Sequence, residues 1–232
     1  MGRAISNIHL VIAGSGRMGA ALVASVDAAD DLSLVGVWHR DDDLSALLAD
    51  ADVLIDFSLA EATATVLDAV EKTQVPLVCG VSAISDQEIA RMQALAEVSP
   101  VVYDRNMSVG IAVLHELTAR AAAGLGADFE PSIYETHHVH KQDAPSGTAI
   151  ALGETLAEAR EIDVNGIHFE AERIGEVPGD HQVIFASDTE SLVLEHSVNT
   201  RQVFVDGALR AARWIVGRPA GLYGMREVLF SR

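Results

Sequence analysis

The segment IHLVIAGSGRMGAALVASV, residues 8–26, decides the fold of this 232-residue chain. Its first seven residues, 8–14, form an apolar run that is typical of a buried strand. Apolar side chains then recur at helical spacing, at Met18, Ala21, Leu22 and Val26. A second apolar run follows over residues 32–38. The pattern predicts a βαβ unit, in which a helix connects two parallel strands.

The glycines between the first strand and the helix form the pattern G-x-G-x-x-G. It comprises Gly14, Ser15, Gly16, Arg17, Met18 and Gly19. Glycines at these places allow a tight turn and let a pyrophosphate approach the helix N-terminus, where free N–H groups favour negative charge. A glycine turn can also serve packing alone, but its position between a strand and a helix favours a dinucleotide-binding loop.

The residues that would contact the nucleotide ribose follow the second predicted strand. An acidic residue is expected there, about 20 residues after the glycines, but the chain has His39 and Arg40, followed by three aspartates at 41–43. An arginine could pair with the 2′-phosphate of NADP, whereas the aspartates could bind the ribose hydroxyls of NAD. The sequence therefore leaves both NADH and NADPH open as cofactors.

Strands and helices continue to alternate up to Tyr103, which predicts a parallel sheet covered on both faces. The further strands are expected over 53–57, 76–80 and 100–103, and the helices over 60–72 and 85–97. After a helix over 109–124, five strand-like stretches indicate a second, mixed and mostly antiparallel sheet, over 132–138, 168–173, 182–187, 190–197 and 202–205. An amphipathic helix over 207–216 follows. We therefore expect an α/β protein with an N-terminal Rossmann domain and an α+β second domain.

Composition excludes several classes of function. The formal net charge of −18 disfavours binding to nucleic acid, whose phosphates attract basic surfaces. No apolar run approaches the roughly 18 residues that cross a bilayer, and we find no signal segment, so we expect a cytoplasmic protein without membrane contact. The single cysteine, Cys79, cannot form an internal disulfide.

The segment ETHHVHKQDAPSGTA, residues 135–149, carries the candidate chemistry. His137 or Lys141 could supply a proton near neutral pH. Carboxylates could be held by His138, Lys141 and the turn Ser146-Gly147-Thr148, because that turn begins a helix and exposes backbone N–H groups. The same turn could instead only cap the helix. We expect Glu135 and Asp143 to orient the histidine and the lysine.

A zinc site is the competing interpretation of this segment, with His137, His138 and His140 as ligands. Successive residues of a strand point to opposite faces, so His137 and His138 cannot both bind one ion without distortion. We therefore expect no metal. A metal-dependent hydrolase and a non-catalytic, nucleotide-responsive binding protein remain as alternatives to a reductase.

These motifs together resemble the dihydrodipicolinate reductase family, whose signature is similar to E-x-H-H-x-x-K-x-D-A-P-S-G-T-A. Further similarity lies in GRMG at 16–19, NMSVG at 106–110, ALRAARWIVG at 208–217 and GLYGMREVL at 221–229. The resemblance implies NAD(P)H-dependent reduction of a cyclic imine dicarboxylate in lysine and diaminopimelate biosynthesis, by a homotetramer. It also implies a dinucleotide-binding domain over 1–108 with 207–232 returning to it, and a substrate-binding and oligomerisation domain over 109–206.

Residue roles follow from the resemblance by position. His137 looks like the proton donor and acceptor and Lys141 like the proton donor. The substrate is bound by His138, Ser146, Gly147 and Thr148. The cofactor is bound by the loop of Gly14 to Gly19, by His39 and Arg40, and by two further stretches, Gly80, Val81 and Ser82, and Asp104, Arg105, Asn106 and Met107.

The chain departs from the family pattern at three places that touch the cofactor. The phosphate loop is one residue shorter than the usual G-x-x-G-R-M-G, and His39 stands where an acid is usual. The usual G-T-T-G is Gly80-Val81-Ser82-Ala83. The substrate signature is complete, so these departures concern the choice of nucleotide.

Overall fold

The computed structural model describes residues 7–82 and 84–231, and in it the chain divides into two units. The first unit runs to Ser108 and resumes at Phe204, and the second comprises Val109–Val203. The first six residues of the expected nucleotide-binding domain and Ala83 of the Gly80–Ala83 stretch lie outside the described residues.

The first unit contains a six-stranded parallel sheet. Its strands are β1 (Ile8–Ala13), β2 (Leu32–Trp38), β3 (Val53–Asp56), β4 (Leu77–Cys79), β5 (Pro100–Tyr103) and β10 (Gly221–Tyr223), in the order β10-β5-β4-β3-β1-β2. Its helices are α1 (Arg17–Asp27), α2 (Leu44–Leu47), α3 (Thr63–Thr73), α4 (Asp86–Leu95), α8 (Met225–Phe230) and, from Phe204 onward, α7 (Gln202–Ile215). Leu10, Val11 and Ile12 are fully buried, as expected for a strand covered on both faces. The predicted Rossmann architecture is confirmed.

The second unit combines two helices with a four-stranded mixed sheet. Its elements are α5 (Val109–Leu125), β6 (Glu130–His137), α6 (Gly147–Arg160), β7 (His168–Arg173), β8 (Asp180–Ala186) and β9 (Ser191–Ser197). The order is β7-β6-β8-β9, with β6 and β7 parallel and the other pairs antiparallel. Ile133, Val183 and Phe185 pack from the sheet against apolar residues of α5 and α6. The predicted mixed, mostly antiparallel sheet is confirmed.

The prediction of a strand over residues 202–205 is wrong, because these residues form the first turn of α7. Val205, Ala208, Ala212 and Ile215 are all buried, at the spacing of one helix face. A Cβ atom at Gly207 would lie 1.7 Å from the carbonyl oxygen of Met107, so the helix packs directly on that backbone. This packing stabilises a helix here, although the valines have a preference for strands. Strand β10 and helices α2 and α8 were not predicted.

Within the described residues, no helix has the length and apolarity needed to cross a bilayer.

Candidate functional site

The glycine loop of the first unit contains glycines of two kinds. Gly14 has a φ of +111°, and a Cβ there would lie 2.5 Å from the carbonyl oxygen of Phe57. A Cβ at Gly19 would lie 1.8 Å from the carbonyl oxygen of Gly14. Close packing therefore requires glycine at both position 14 and position 19. A Cβ at Gly16 would meet no atom of the described residues within 4 Å. The start of α1 is therefore open at Gly16, as close approach of a pyrophosphate requires.

The turn after β2 leaves Arg40 exposed and engages two of the three aspartates. The Asp42 carboxylate accepts a hydrogen bond from the backbone N–H of His39 at 3.1 Å. Asp43 caps α2 by accepting from the N–H of Ala46 at 3.2 Å. Two of the three aspartate carboxylates thus have backbone partners, while the Arg40 side chain is exposed.

The other predicted cofactor residues follow the carboxyl ends of β4 and β5, the edge where open α/β sheets bind ligands. Gly80 packs on the ring of Phe57, which a Cβ would approach to 2.5 Å. Val81 is buried and Ser82 exposed, and after β5 Arg105 is exposed while Met107 is buried.

The Asp104 side chain forms hydrogen bonds with backbone N–H groups. Its carboxylate accepts hydrogen bonds from the N–H groups of Asn106 at 3.1 Å and Met225 at 3.2 Å. Burial raises the pKa of this carboxyl, against the effect of those hydrogen bonds. Asp104 therefore fastens the start of α8 to the loop that follows β5.

Glu135 is the centre of the hydrogen-bond network in the second unit. It lies on β6, on the same face as Ile133 and His137, and its side chain is 1% exposed. His137 donates its Nδ1–H to Glu135 Oε2, because a carboxylate can only accept. The backbone N–H of Ser146 donates to Glu135 Oε1 at 3.0 Å. One carboxylate thus fixes both His137 and the residue that precedes α6.

Arg173, the last residue of β7, binds the same carboxylate through both terminal nitrogens. Nη1 lies 3.1 Å from Glu135 Oε2, and Nη2 lies 2.9 Å from Oε1. Nη1 also donates to the carbonyl of Glu172 at 2.6 Å, and Nη2 donates to the carbonyl of Asp143. This planar pairing gives the buried carboxylate a full counter-charge.

His181 lies opposite Glu135 in the β6–β8 register and is buried. Its Nε2 is 3.2 Å from the hydroxyl of Ser146, which also caps α6 by accepting from the N–H of Ala149 at 3.1 Å. The His181 and His137 rings are in edge contact, with centroids 5.1 Å apart. Burial lowers the pKa of His181 to about 3, so this imidazole is neutral.

His137 also has a lowered pKa. Burial is the largest cause, Glu135 opposes it, and the charges of Lys141 and Arg173 lower the pKa further. Gly179, with a φ of +150°, lies against the other ring nitrogen, Nε2, which a Cβ there would approach to 2.9 Å. In neutral His137 the proton therefore stays on Nδ1, where it is hydrogen-bonded to Glu135, and Nε2 is unprotonated.

The remaining predicted residues lie in the loop from His138 to Ser146 and at the start of α6. Lys141 Nζ is 2.8 Å from Asp143 Oδ1. Partial burial raises the pKa of Asp143, but the hydrogen bond and charge of Lys141 outweigh it and hold that pKa below its usual value. His138 Nδ1 is buried and has no hydrogen-bond partner within the described residues. Gly147, the first residue of α6, has open space where a Cβ would lie, and Thr148 is half-buried.

The structure thus brings His137, Lys141, Ser146 and the start of α6 together in one unit. His140 is exposed and pairs with Glu176 at 3.3 Å, and its ring centroid lies 6.0 Å from that of His138. Across residues 7–82 and 84–231, no group of three or more His, Cys, Asp or Glu side chains is arranged to hold a metal ion. Arg173 and His181 were missed, because neither lies in the 135–149 segment and only strand register places them beside it.

Comparisons with known proteins cover almost the whole chain. The family profile described as "Dihydrodipicolinate reductase, N-terminus" matches residues 8–107, and that described as "Dihydrodipicolinate reductase, C-terminus" matches residues 110–229. A 4-hydroxy-tetrahydrodipicolinate reductase of Burkholderia thailandensis is 37% identical, covering 98% of this chain and all of that protein. One of Thiobacillus denitrificans is 38% identical, covering 96% of this chain and 98% of that protein.

Solved structures are similar in fold. A dipicolinate-bound dihydrodipicolinate reductase from Paenisporosarcina sp. TG-14 has a TM-score of 0.81 at 22% identity, covering 95% of this chain and 99% of the other. The diaminopimelate dehydrogenase of C. glutamicum has a TM-score of 0.59 at 13% identity, covering 98% and 97%.

Proposed function

Because the chain belongs to the dihydrodipicolinate reductase family, we propose that it is a 4-hydroxy-tetrahydrodipicolinate reductase of lysine and diaminopimelate biosynthesis. It reduces a cyclic imine dicarboxylate with NADH or NADPH. The family resemblance inferred from the sequence motifs is confirmed by these matches.

The observation that carries the residue assignment is the arrangement of His137 and Lys141 beside the start of α6. Hydride arrival at an imine carbon places an electron pair on nitrogen, which then requires a proton. Lys141 is the proton donor in this proposal. Neutral His137, oriented by Glu135, accepts a proton at Nε2 and can donate that proton in a later step.

The dicarboxylate is bound by residues at the start of α6 and in the loop before it. Gly147 and Thr148 contribute the helix N-terminus, where backbone N–H groups favour a carboxylate, and Ser146, whose own N–H donates to Glu135, lies beside that carboxylate as the N-cap residue. His138 contributes a second contact, and its buried Nδ1, which has no hydrogen-bond partner in the part of the chain that the structure describes, supports a role in binding a polar ligand.

The glycine loop fits a dinucleotide, because Gly16 is open while Gly14 and Gly19 allow close packing around it. When bound, a reduced nicotinamide dinucleotide supplies the hydride. In this proposal the phosphates and ribose would be held by Ser15, Arg17, Met18, His39 and Arg40, and the nicotinamide by the stretches Gly80–Ser82 and Asp104–Met107. Asp104 holds the second of these stretches in place through its backbone hydrogen bonds.

The test is oxidation of NADH and of NADPH in a reaction coupled to the synthase that generates the substrate. We expect substrate-dependent oxidation. Its absence with both cofactors would overturn the proposal, and calorimetric binding of dinucleotide without turnover would instead support a nucleotide-responsive binding protein.

Variants test the residue roles. His137→Gln and Lys141→Ala should each lower turnover by more than about tenfold, the low end of what proton-transfer groups contribute. His140→Gln is the matched control, because His140 is exposed and lies in the same loop. Near-normal turnover in both site variants would reject the assignment.

We also propose a cytoplasmic homotetramer assembled through the second sheet. Tyr134, Ile184 and Val193 point away from the face that packs on α5 and α6, and Val193 remains 46% exposed. Ser132, Tyr134, His168 and Gln182 line a shallow cavity of about 180 Å³ on this outer face. Sedimentation equilibrium should give four times the chain mass of 24.6 kDa, and a monomeric mass at micromolar concentration would contradict the assembly.

A further inference from the structure

We propose that Arg173 is a positioning residue of the reductase site, holding Glu135 against His137 and tying the Lys141 loop to the end of β7. The inference rests on the proposed function. Arg173 lies outside the 135–149 segment, but strand register pairs it with His137 on adjacent strands.

Arg173 contacts both Glu135, the partner of His137, and the loop that carries Lys141. Its two terminal nitrogens bind the two carboxylate oxygens of Glu135, at 3.1 and 2.9 Å. Nη2 also donates to the carbonyl of Asp143, whose side chain is paired with Lys141. Only a planar guanidinium can make this set of contacts, since a lysine offers one compact ammonium group.

Arg173 also decides how the charge of Glu135 acts on His137. The titratable and charged groups around His137 are Glu135 on its own strand, Lys141 in the following loop, Arg173 on β7 and His181 on β8. Without Arg173, the buried Glu135 carboxylate would have His137 as its remaining ionisable partner, and an imidazolium would be favoured. With Arg173 present, Glu135 orients His137 without holding it protonated.

The same contacts couple His137 to substrate binding. Glu135 Oε1 accepts from the N–H of Ser146, and Arg173 holds the Asp143 carbonyl three residues earlier in the same loop. Loss of the guanidinium would therefore release the loop that carries Lys141 and leads into α6. We expect a higher KM for the dicarboxylate as well as an altered proton balance at His137.

The experiment compares Arg173→Gln and Arg173→Lys with the wild type. Arg120→Gln is the matched control, because Arg120 is an exposed arginine of the same unit that pairs with Glu116. In Arg173→Gln, kcat/KM should fall at least about tenfold, and the His137 limb of its pH profile should move up by about one pH unit. Arg173→Lys should restore that limb, because the charge is kept, while KM for the dicarboxylate stays raised, because the fork is lost.

A second measurement does not depend on turnover. Deuterium exchange at the imidazole Cε1 carbon, followed by fragment-ion mass spectrometry, titrates His137 separately from His138 and His140. The His137 midpoint should rise in Arg173→Gln and that of His140 should not. A folded Arg173→Gln with unchanged His137 titration and wild-type KM overturns the inference.

The remaining outcomes are also decisive. If Arg173→Gln does not fold, a wild-type KM in Arg173→Lys overturns the inference and a raised KM with a restored pH limb supports it. If the wild type shows no reductase activity, the proposed function fails, while the exchange titration still decides whether Arg173 sets the protonation of His137.

Discussion

Alanine substitutions at Gly16 and Gly19 should separate ligand binding from packing in the glycine loop. At Gly16 the backbone has φ −75° and ψ −165°, which alanine adopts without strain, and the new Cβ meets no atom within 4 Å among residues 7–82 and 84–231. Gly16 is the N-cap of α1, where alanine is worse than glycine by about 1 kcal/mol, partly offset by reduced freedom of the unfolded chain. We therefore expect the melting temperature of Gly16→Ala to fall by no more than about 4 °C.

The main effect of Gly16→Ala should be weaker binding of the cofactor. The added methyl group occupies the space through which a pyrophosphate would approach the helix start. We expect the Kd of NADPH and of NADH to rise at least about tenfold, equivalent to about 1.4 kcal/mol.

Gly19→Ala should behave in the opposite way. Its Cβ would lie 1.8 Å from the carbonyl oxygen of Gly14, so backbone must move to accept it. Overpacking of this kind costs about 3 kcal/mol, which corresponds to a melting temperature lower by about 10 °C.

Circular dichroism melting and calorimetric titration with each dinucleotide measure both effects on the same samples. Wild-type dinucleotide affinity in a folded Gly16→Ala would refute the idea that Gly16 faces the ligand. Wild-type stability in Gly19→Ala would refute the packing argument.

Two further predictions concern His181 and Arg40. The pKa of His181 is about 3 in the folded protein, against about 6.5 unfolded, so its contribution to stability is fully present above pH 6.5 and is lost as the pH falls towards 3. Between pH 7 and pH 5, urea unfolding should show a loss of about 2 kcal/mol that His181→Leu lacks, and parallel losses in both proteins would exclude His181 as the cause. Arg40→Gln should raise the KM of NADPH by about tenfold and leave that of NADH nearly unchanged, because the 2′-phosphate is present in NADPH alone. Equal changes in the KM of both cofactors in steady-state kinetics would show that Arg40 does not bind that phosphate.

The parallel sheet could be predicted because its strands are buried on both faces and read as continuous apolar runs, as at Leu10–Ile12. Residues 202–205 misled the prediction, since Gln-Val-Phe-Val has strand propensity and only the packing of Gly207 on Met107 favours a helix. Strand β10 has three residues, too few for any periodicity, and it exists through its pairing with β5.

The part of the site that lies within one short sequence segment could be predicted. His137 and Lys141 lie in one contiguous segment whose residue types indicate proton transfer. Arg173 lies 38 residues from Glu135, and His181 lies 35 residues from Ser146. No short pattern spans such separations, because the register of β6 with β7 and β8 creates these contacts.

Strand β10 has a consequence for how the chain is made. Gly221–Tyr223 pairs with Pro100–Val102, but the ribosome adds all of the second unit between these two stretches. A first sheet that forms before β10 is made would have β5 as its edge strand, which is the kind of surface that other chains can join. We therefore expect nascent chains stalled before β10 to depend on chaperones and to aggregate more readily than the finished protein.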